Sequence, residues 1–132
     1  VQSIAYARQR SAFGKHLADQ PLMTSVLADL ALESEASMQL AMHLAQACEL
    51  EADGDLLARA WKRIMTPAAK FWVCKRAPLH AAEALECQGG YGYVEEFPAE
   101  RYYRDAKVTE LYEGTSEIQR LVIARELIGR EA

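Results

Sequence analysis

Tyr112-Glu113-Gly114-Thr115 is the segment of this sequence best equipped for chemistry. A carboxylate stands there just ahead of a helix start, between an aromatic ring and a glycine. Glycine beside it lets a backbone or a ligand come close. The helix end turns free N–H groups toward any oxygen in front of it. A carboxylate taken out of water at such a place holds its proton more tightly and is able to act as a base. The same arrangement also arises as a plain charge placement at a helix N-terminus. The residues alone leave both readings open.

A second cluster is basic. Arg59, Lys62, Arg63, Lys70, Lys75 and Arg76 lie within one stretch that holds no acid, with Trp61, Phe71 and Trp72 interleaved. Such a stretch suits phosphate, in nucleic acid or in a cofactor. It equally suits a solvated helix face with its aromatics turned inward. Metal chemistry has little support. His16, His43 and His80 are far apart, and no CxxC or HExxH spacing occurs, so no metal site is expected. Cys48 and Cys74 sit beside apolar neighbours on expected helices and read as core filling.

The elements that must position these groups are helical. The sequence has 132 residues, 51% of them apolar, and a formal net charge of −4. Ala and Leu, the best helix formers, far outnumber the β-branched Val, Ile and Thr. Disorder and collagen-like character are excluded by the apolar content and by only 7 Gly and 4 Pro. The length suits one domain. No apolar run approaches the ~18 residues of a membrane span, and neither a transmembrane helix nor a signal peptide is expected. Three scattered cysteines point to free thiols in a reducing compartment, the cytoplasm. The first residue is not Met and lies inside an expected helix, so the chain is expected to be a fragment of a longer protein.

Read in order, a helix is expected from Val1 to about Ala12, stopped by Gly14. A long one runs from Pro21 to about Ala52, because proline is preorganised for a first helical position and apolar residues recur at three- and four-residue steps. A third helical region covers Asp55 to about Cys87. Within it Pro67 should start a fresh segment or kink the helix, with Thr66 as the cap, and Pro78 should bend the chain again. Gly89-Gly90-Tyr91-Gly92 ends it. Pro98 starts a short helix through Ala106. A loop covers Val108 to Gly114, and a last helix follows in which Ser116 and Gln119 have the spacing of a capping box. The expected fold is all-α, an up-and-down four-helix bundle with an extra short helix.

Four motifs in this order and spacing resemble the acyl-CoA dehydrogenase family. They are Arg10-Ser11-Ala12-Phe13-Gly14-Lys15, Gly89-Gly90-Tyr91-Gly92-Tyr93, Arg104-Asp105-Ala106-Lys107, and Tyr112-Glu113-Gly114-Thr115-Ser116-Glu117-Ile118-Gln119-Arg120. The resemblance covers nearly the whole chain, but only that family's C-terminal helical domain. It implies an FAD flavoprotein that removes two hydrogens across the α and β carbons of an acyl-CoA thioester. Glu113 matches the position of the base that takes the α-proton while the β-hydride goes to flavin N5. In a dry pocket between flavin and thioester its pKa would rise.

Further roles follow from the same resemblance. Gly114 would border the substrate. Thr115 and Glu117 would lie near the flavin. Arg10 and Phe13 match positions that contact the FAD of a neighbouring subunit, Arg10 at the pyrophosphate. Gly89 and Gly90 match the glycine pair at the adenine half of FAD. Glu86 stands on the same cofactor side where the family usually has Gln, and a carboxylate there would repel a phosphate. A homodimer or homotetramer and an electron-transfer flavoprotein are the implied partners, with fatty acid metabolism as the setting.

Thr66-Pro67-Ala68-Ala69-Lys70-Phe71 and Cys74-Lys75-Arg76 resemble the subgroup related to the alkylation-response flavoproteins, some of which bind DNA. A DNA-associated flavoprotein with residual dehydrogenase activity is therefore the alternative. The family's FAD and substrate sites also use an N-terminal helical domain and a middle β-domain. Alone, this domain is expected to show little FAD affinity and no turnover.

Overall fold

A computed structural model describes residues 1–129. Six α-helices are found among them: α1 (Gln2–Gln9), α2 (Pro21–Ala52), α3 (Leu56–Glu86), α4 (Gly90–Tyr93), α5 (Ala99–Val108) and α6 (Ser116–Ile128). The only sheet among the described residues is a two-stranded ribbon, β1 (Ser11–Ala12) with β2 (Lys15–His16). The fold is thus an all-α helical bundle, as expected. Among the described residues, no helix is long and apolar enough to cross a membrane.

Helix α2 has the expected limits, beginning at Pro21. Its end is closed by Gly54 N–H to Glu51 O (2.9 Å) and Asp55 N–H to Leu50 O (3.0 Å). Asp55 then caps α3, its carboxylate accepting from the N–H groups of Leu57 (2.8 Å) and Ala58 (3.0 Å). Helix α3 continues through Pro67 and Pro78 for 31 residues, so Pro67 does not start a fresh segment. An interior proline costs a helix about 3 kcal/mol. Here Pro67 is buried and Pro78 half-buried, so packing along a long helix outweighs that loss.

Helix α1 is shorter than expected. It ends at Gln9, and the chain turns over as a hairpin in which Ser11 pairs with His16 and Ala12 with Lys15. Phe13 and Gly14 form the two-residue turn, with φ of 53° and 78°. Positive φ at both places matches the twist of the flanking strands.

The chain divides into two compact units, and α2 and α3 each contribute to both. The first joins Val1–Glu35 to Ala77–Lys107. In it, α1 is held to the last turns of α3 by Ser3 Oγ donating to Ala84 O (2.7 Å). The Tyr6 ring meets Tyr91 edge-on at 6.0 Å, and Tyr91 packs against Phe97 at 4.9 Å. Gly92 is buried against Leu85, where a Cβ would stand 2.3 Å from the Leu85 carbonyl oxygen. The second unit joins Ala36–Arg76 to the chain from Val108 onward. Its buried positions include Ala47, Ala58, Pro67, Ala69, Glu110, Ser116 and Gln119.

Candidate functional site

The second unit carries the acidic turn. Helix α5 ends at Val108, and turns occupy residues 109–114 before α6 begins. Glu113 takes φ of 55°, and Gly114 takes 97°. Positive φ at a non-glycine residue costs on the order of 1–3 kcal/mol and persists only where the surroundings enforce it.

The surroundings enforce it from both sides. Ahead of Glu113, Lys70 Nζ donates to the Thr109 carbonyl and lies 5.8 Å from the centre of the Tyr112 ring. Lys75 Nζ donates to the buried Glu110 carboxylate at 2.9 Å. That hydrogen bond, reinforced by the charge of Glu110, raises the Lys75 pKa. Behind Glu113, the buried Gln119 amide donates to the carbonyls of Glu113 (3.0 Å) and Gly114 (3.2 Å).

Helix α6 is capped by Thr115, whose side-chain oxygen accepts from the Ile118 N–H at 3.5 Å. The expected Ser116–Gln119 capping box does not form. Ser116 is already inside the helix, and Gln119 faces back toward the turn. Glu117 lies in the first helical turn, its pKa lowered by hydrogen bonds from its own backbone N–H and then from the Thr115 hydroxyl. Glu113 itself is exposed, and Gly114 and Thr115 are half-buried.

The remaining expected site residues lie in the first unit. Arg10 follows α1 and is exposed, and no ion pair to it is found among the described residues. Phe13 is 98% exposed at the tip of the hairpin. Next to that turn the hairpin is tied down by the Gln20 side-chain amide donating to Ala12 O at 3.1 Å. Glu86 is the last residue of α3 and is exposed. Gly89 and Gly90 follow after the buried Cys87 and Gln88 and are exposed. Gly90 has an ordinary backbone, and a Cβ there would meet nothing within 4 Å.

The basic stretch does not form a free phosphate surface. Arg59 lies 3.8 Å from Glu51, and Lys62 bonds to the same carboxylate. Arg63 pairs with Glu126 at 2.8 Å. Lys70 and Lys75 hold the acidic turn, and Arg76 lies over the Trp72 ring at 5.0 Å. Four of the six are thus paired with acids of this chain, Glu51, Glu126 and Glu110. The structure therefore gives no support to a nucleic-acid interface here. Cys48 is exposed rather than core-filling, while Cys74 is half-buried and Cys87 buried. Burial pushes the Cys87 thiol pKa up, the opposite of what a nucleophile needs.

Lys70, Lys75, Glu110 and Gln119 are the site residues that sequence reasoning missed in this role. Lys70 and Lys75 meet the turn across 39 and 35 positions of sequence, so no local spacing signals the pairing.

Residues 1–128 match the family model for the acyl-CoA dehydrogenase C-terminal domain. The AidB protein of Escherichia coli strain K12 is 42% identical over 125 residues, covering 95% of this chain and 23% of that protein. The short-chain specific acyl-CoA dehydrogenase of bovine mitochondria is 41% identical over 128 residues, covering 96% and 29%. Among solved structures, Caenorhabditis elegans ACDH-11 in complex with C11-CoA superposes with a TM-score of 0.92 at 31% identity, covering 98% of this chain and 22% of that one. Butyryl-CoA dehydrogenase from Megasphaera elsdenii does so with 0.80 at 33%, covering 96% and 31%. This chain belongs to the acyl-CoA dehydrogenase family, as its C-terminal domain. It spans less than a third of the length of these relatives. Proteins of the family are FAD-dependent flavoproteins.

The first unit offers groups that fit such a dinucleotide. Arg10 presents a cation suited to a pyrophosphate, and Phe13 an unburied ring. Gly90 leaves open space over a backbone that nothing in this chain requires to be glycine. Glu86 is the poor fit, a carboxylate beside an anionic ligand.

Proposed function

We propose that this chain is the base-bearing domain of a longer FAD-dependent enzyme that desaturates an acyl-CoA thioester between its α and β carbons. Glu113 is the base. Its carboxylate takes the α-proton, and the electron pair left behind becomes the α,β double bond as the β-hydrogen departs with its own pair. FAD, when bound, supplies the acceptor for that hydrogen and its pair. Gly114 borders the thioester without a side chain in the way, and Thr115 and Glu117 at the start of α6 lie on the flavin side. Arg10 and Phe13 serve the cofactor of a neighbouring copy, Arg10 by charge on the pyrophosphate and Phe13 by its ring. Gly89 and Gly90 admit the adenine half, with Glu86 at its edge.

The observation that carries this reading is the backbone of Glu113. A non-glycine residue is kept at φ 55° on a turn anchored ahead and behind, yet its own side chain is exposed. Strain retained around an unburied carboxylate is the mark of a group aimed at a ligand. Exposure of Glu113, Arg10 and Phe13 also means that this chain does not itself enclose the site. The chain alone therefore has little FAD affinity and no turnover. The working enzyme is a homodimer or homotetramer, passes electrons to an electron-transfer flavoprotein, and works in the cytoplasm, where its three free cysteines stay reduced.

The test is Glu113→Gln in the full-length flavoprotein. FAD stays bound, while bleaching of the flavin by acyl-CoA slows by about 10²-fold or more, the scale of a lost general base. Bleaching at the wild-type rate would place the base elsewhere.

A further inference from the structure

We propose that Gln119 is the positioning residue for Glu113, holding the strained turn in the one backbone conformation from which the carboxylate reaches the substrate. This rests on the reading of Glu113 as the base. Gln119 is buried on the first turns of α6, and its side-chain nitrogen faces two successive carbonyls, Glu113 O at 3.0 Å and Gly114 O at 3.2 Å. An amide nitrogen carries two protons, one for each oxygen. The opposite amide orientation would set an oxygen against both carbonyls, so the donors alone fit.

The two residues it holds are the two with positive φ in this turn, Glu113 at 55° and Gly114 at 97°. Left free, an L-residue such as Glu113 relaxes to negative φ, and that rotation swings its Cα–Cβ bond away from its present direction. The amide also fixes the identity of residue 114. A Cβ there would lie 2.5 Å from the Gln119 side-chain nitrogen. Gly114 is therefore the residue that lets the amide come close enough to bind both carbonyls. Lys70 and Glu110 hold the other flank of the turn, so removing Gln119 frees the Glu113–Gly114 pair without releasing the whole segment.

Proton abstraction tolerates little misplacement, and a shift of about 1 Å in a reacting group costs about 10²-fold in rate. Gln119 touches no substrate in this scheme; it acts through the backbone of Glu113. Its loss must lower the rate of proton abstraction while leaving ligand binding in place.

The experiment uses the full-length FAD-loaded enzyme and anaerobic stopped-flow reduction by acyl-CoA. Gln119→Met keeps the length and removes both donors. It is expected to slow flavin reduction at saturating substrate by about 10- to 100-fold, with FAD content and the Kd for acyl-CoA within about twofold of wild type. Gln119→Glu turns an acceptor toward both carbonyls when ionised and is expected to show the same split, easing as pH falls and the carboxyl regains a donor. Glu113→Gln runs beside them. If Glu113→Gln reduces normally, the base reading fails. If Glu113→Gln is inactive while Gln119→Met reduces within about twofold of wild type, the positioning role alone fails. Loss of folded, FAD-loaded protein in both Gln119 variants would also overturn it, by showing that Gln119 supports the fold.

Discussion

Lys75 Nζ lies 2.9 Å from the carboxylate of Glu110, a buried acid three residues ahead of Glu113. The pair ties α3 to the turn that carries the proposed base. Its hydrogen bond raises the Lys75 pKa above its usual 10.5. A raised lysine value means that the folded state holds the proton more tightly than the unfolded state. The stabilisation is therefore complete below the unfolded value and is lost as pH rises through the folded one. Thermal unfolding of wild type and Lys75→Met should show a gap that is constant at neutral pH and closes above about pH 10.5. A gap that stays open at that pH would show that the pair contributes through packing instead.

Two neighbouring glycines should behave oppositely. Gly92→Ala drives a Cβ to 2.3 Å from the Leu85 carbonyl oxygen, backbone that has no room to give. It is expected to destabilise the fold by about 1–3 kcal/mol in urea unfolding, the range for overpacking a filled site. Gly90→Ala meets nothing within 4 Å. Its stability should stay within about 0.5 kcal/mol of wild type. FAD retention by the full-length protein should nevertheless fall, because a methyl group would occupy the approach proposed for the adenine half.

Phe13 separates folding from cofactor binding in the same way. Its ring is 98% exposed, so Phe13→Ala should leave stability within about 0.5 kcal/mol of wild type. In the full-length oligomer, the ratio of flavin to protein absorbance after gel filtration should drop. Unchanged flavin content would remove Phe13 from the cofactor site.

The basic stretch yields an expectation about DNA. Partners of Arg59, Lys62, Arg63, Lys70 and Lys75 are all internal. A mobility-shift assay near 50 mM salt should show no retardation of duplex DNA, since backbone binding there depends on free cations. Retardation that falls steeply with salt and disappears in Arg59→Ala with Arg76→Ala would contradict this.

Much of the fold was legible in the residues. Pro21 and the Asp53-Gly54-Asp55 turn marked both ends of α2, because proline and glycine act through local sterics alone. The fresh segment expected at Pro67 is absent for the converse reason, since Pro67 and Pro78 both sit inside one helix. Their local penalty is real, but burial along a 31-residue helix overrides it, and burial is not local. The hairpin at Phe13-Gly14 was hidden because two-residue strands carry no periodicity. At the site, Glu113, Gly114 and Thr115 stood out by type and order. The partners of their turn did not. Lys70 and Thr109 are 39 positions apart, and Lys75 and Glu110 are 35, so a stretch that reads as a phosphate patch is an internal brace. Gln119 was noticed for the right spacing and the wrong duty. Thr115 caps α6, and that one-residue offset frees the amide to face the turn.

Phe13 at the tip of its ribbon contributes nothing to the chain that bears it, if its ring serves the flavin next door. Damage there and damage at Glu113 would then strike different catalytic centres. Two impaired proteins, Phe13→Ala with its lowered flavin content and Glu113→Gln, unfolded and reassembled together, would form mixed oligomers in which one centre draws an intact ring from one parent and an intact carboxylate from the other. Revival of catalysis on mixing would be the genetic signature of a shared catalytic centre.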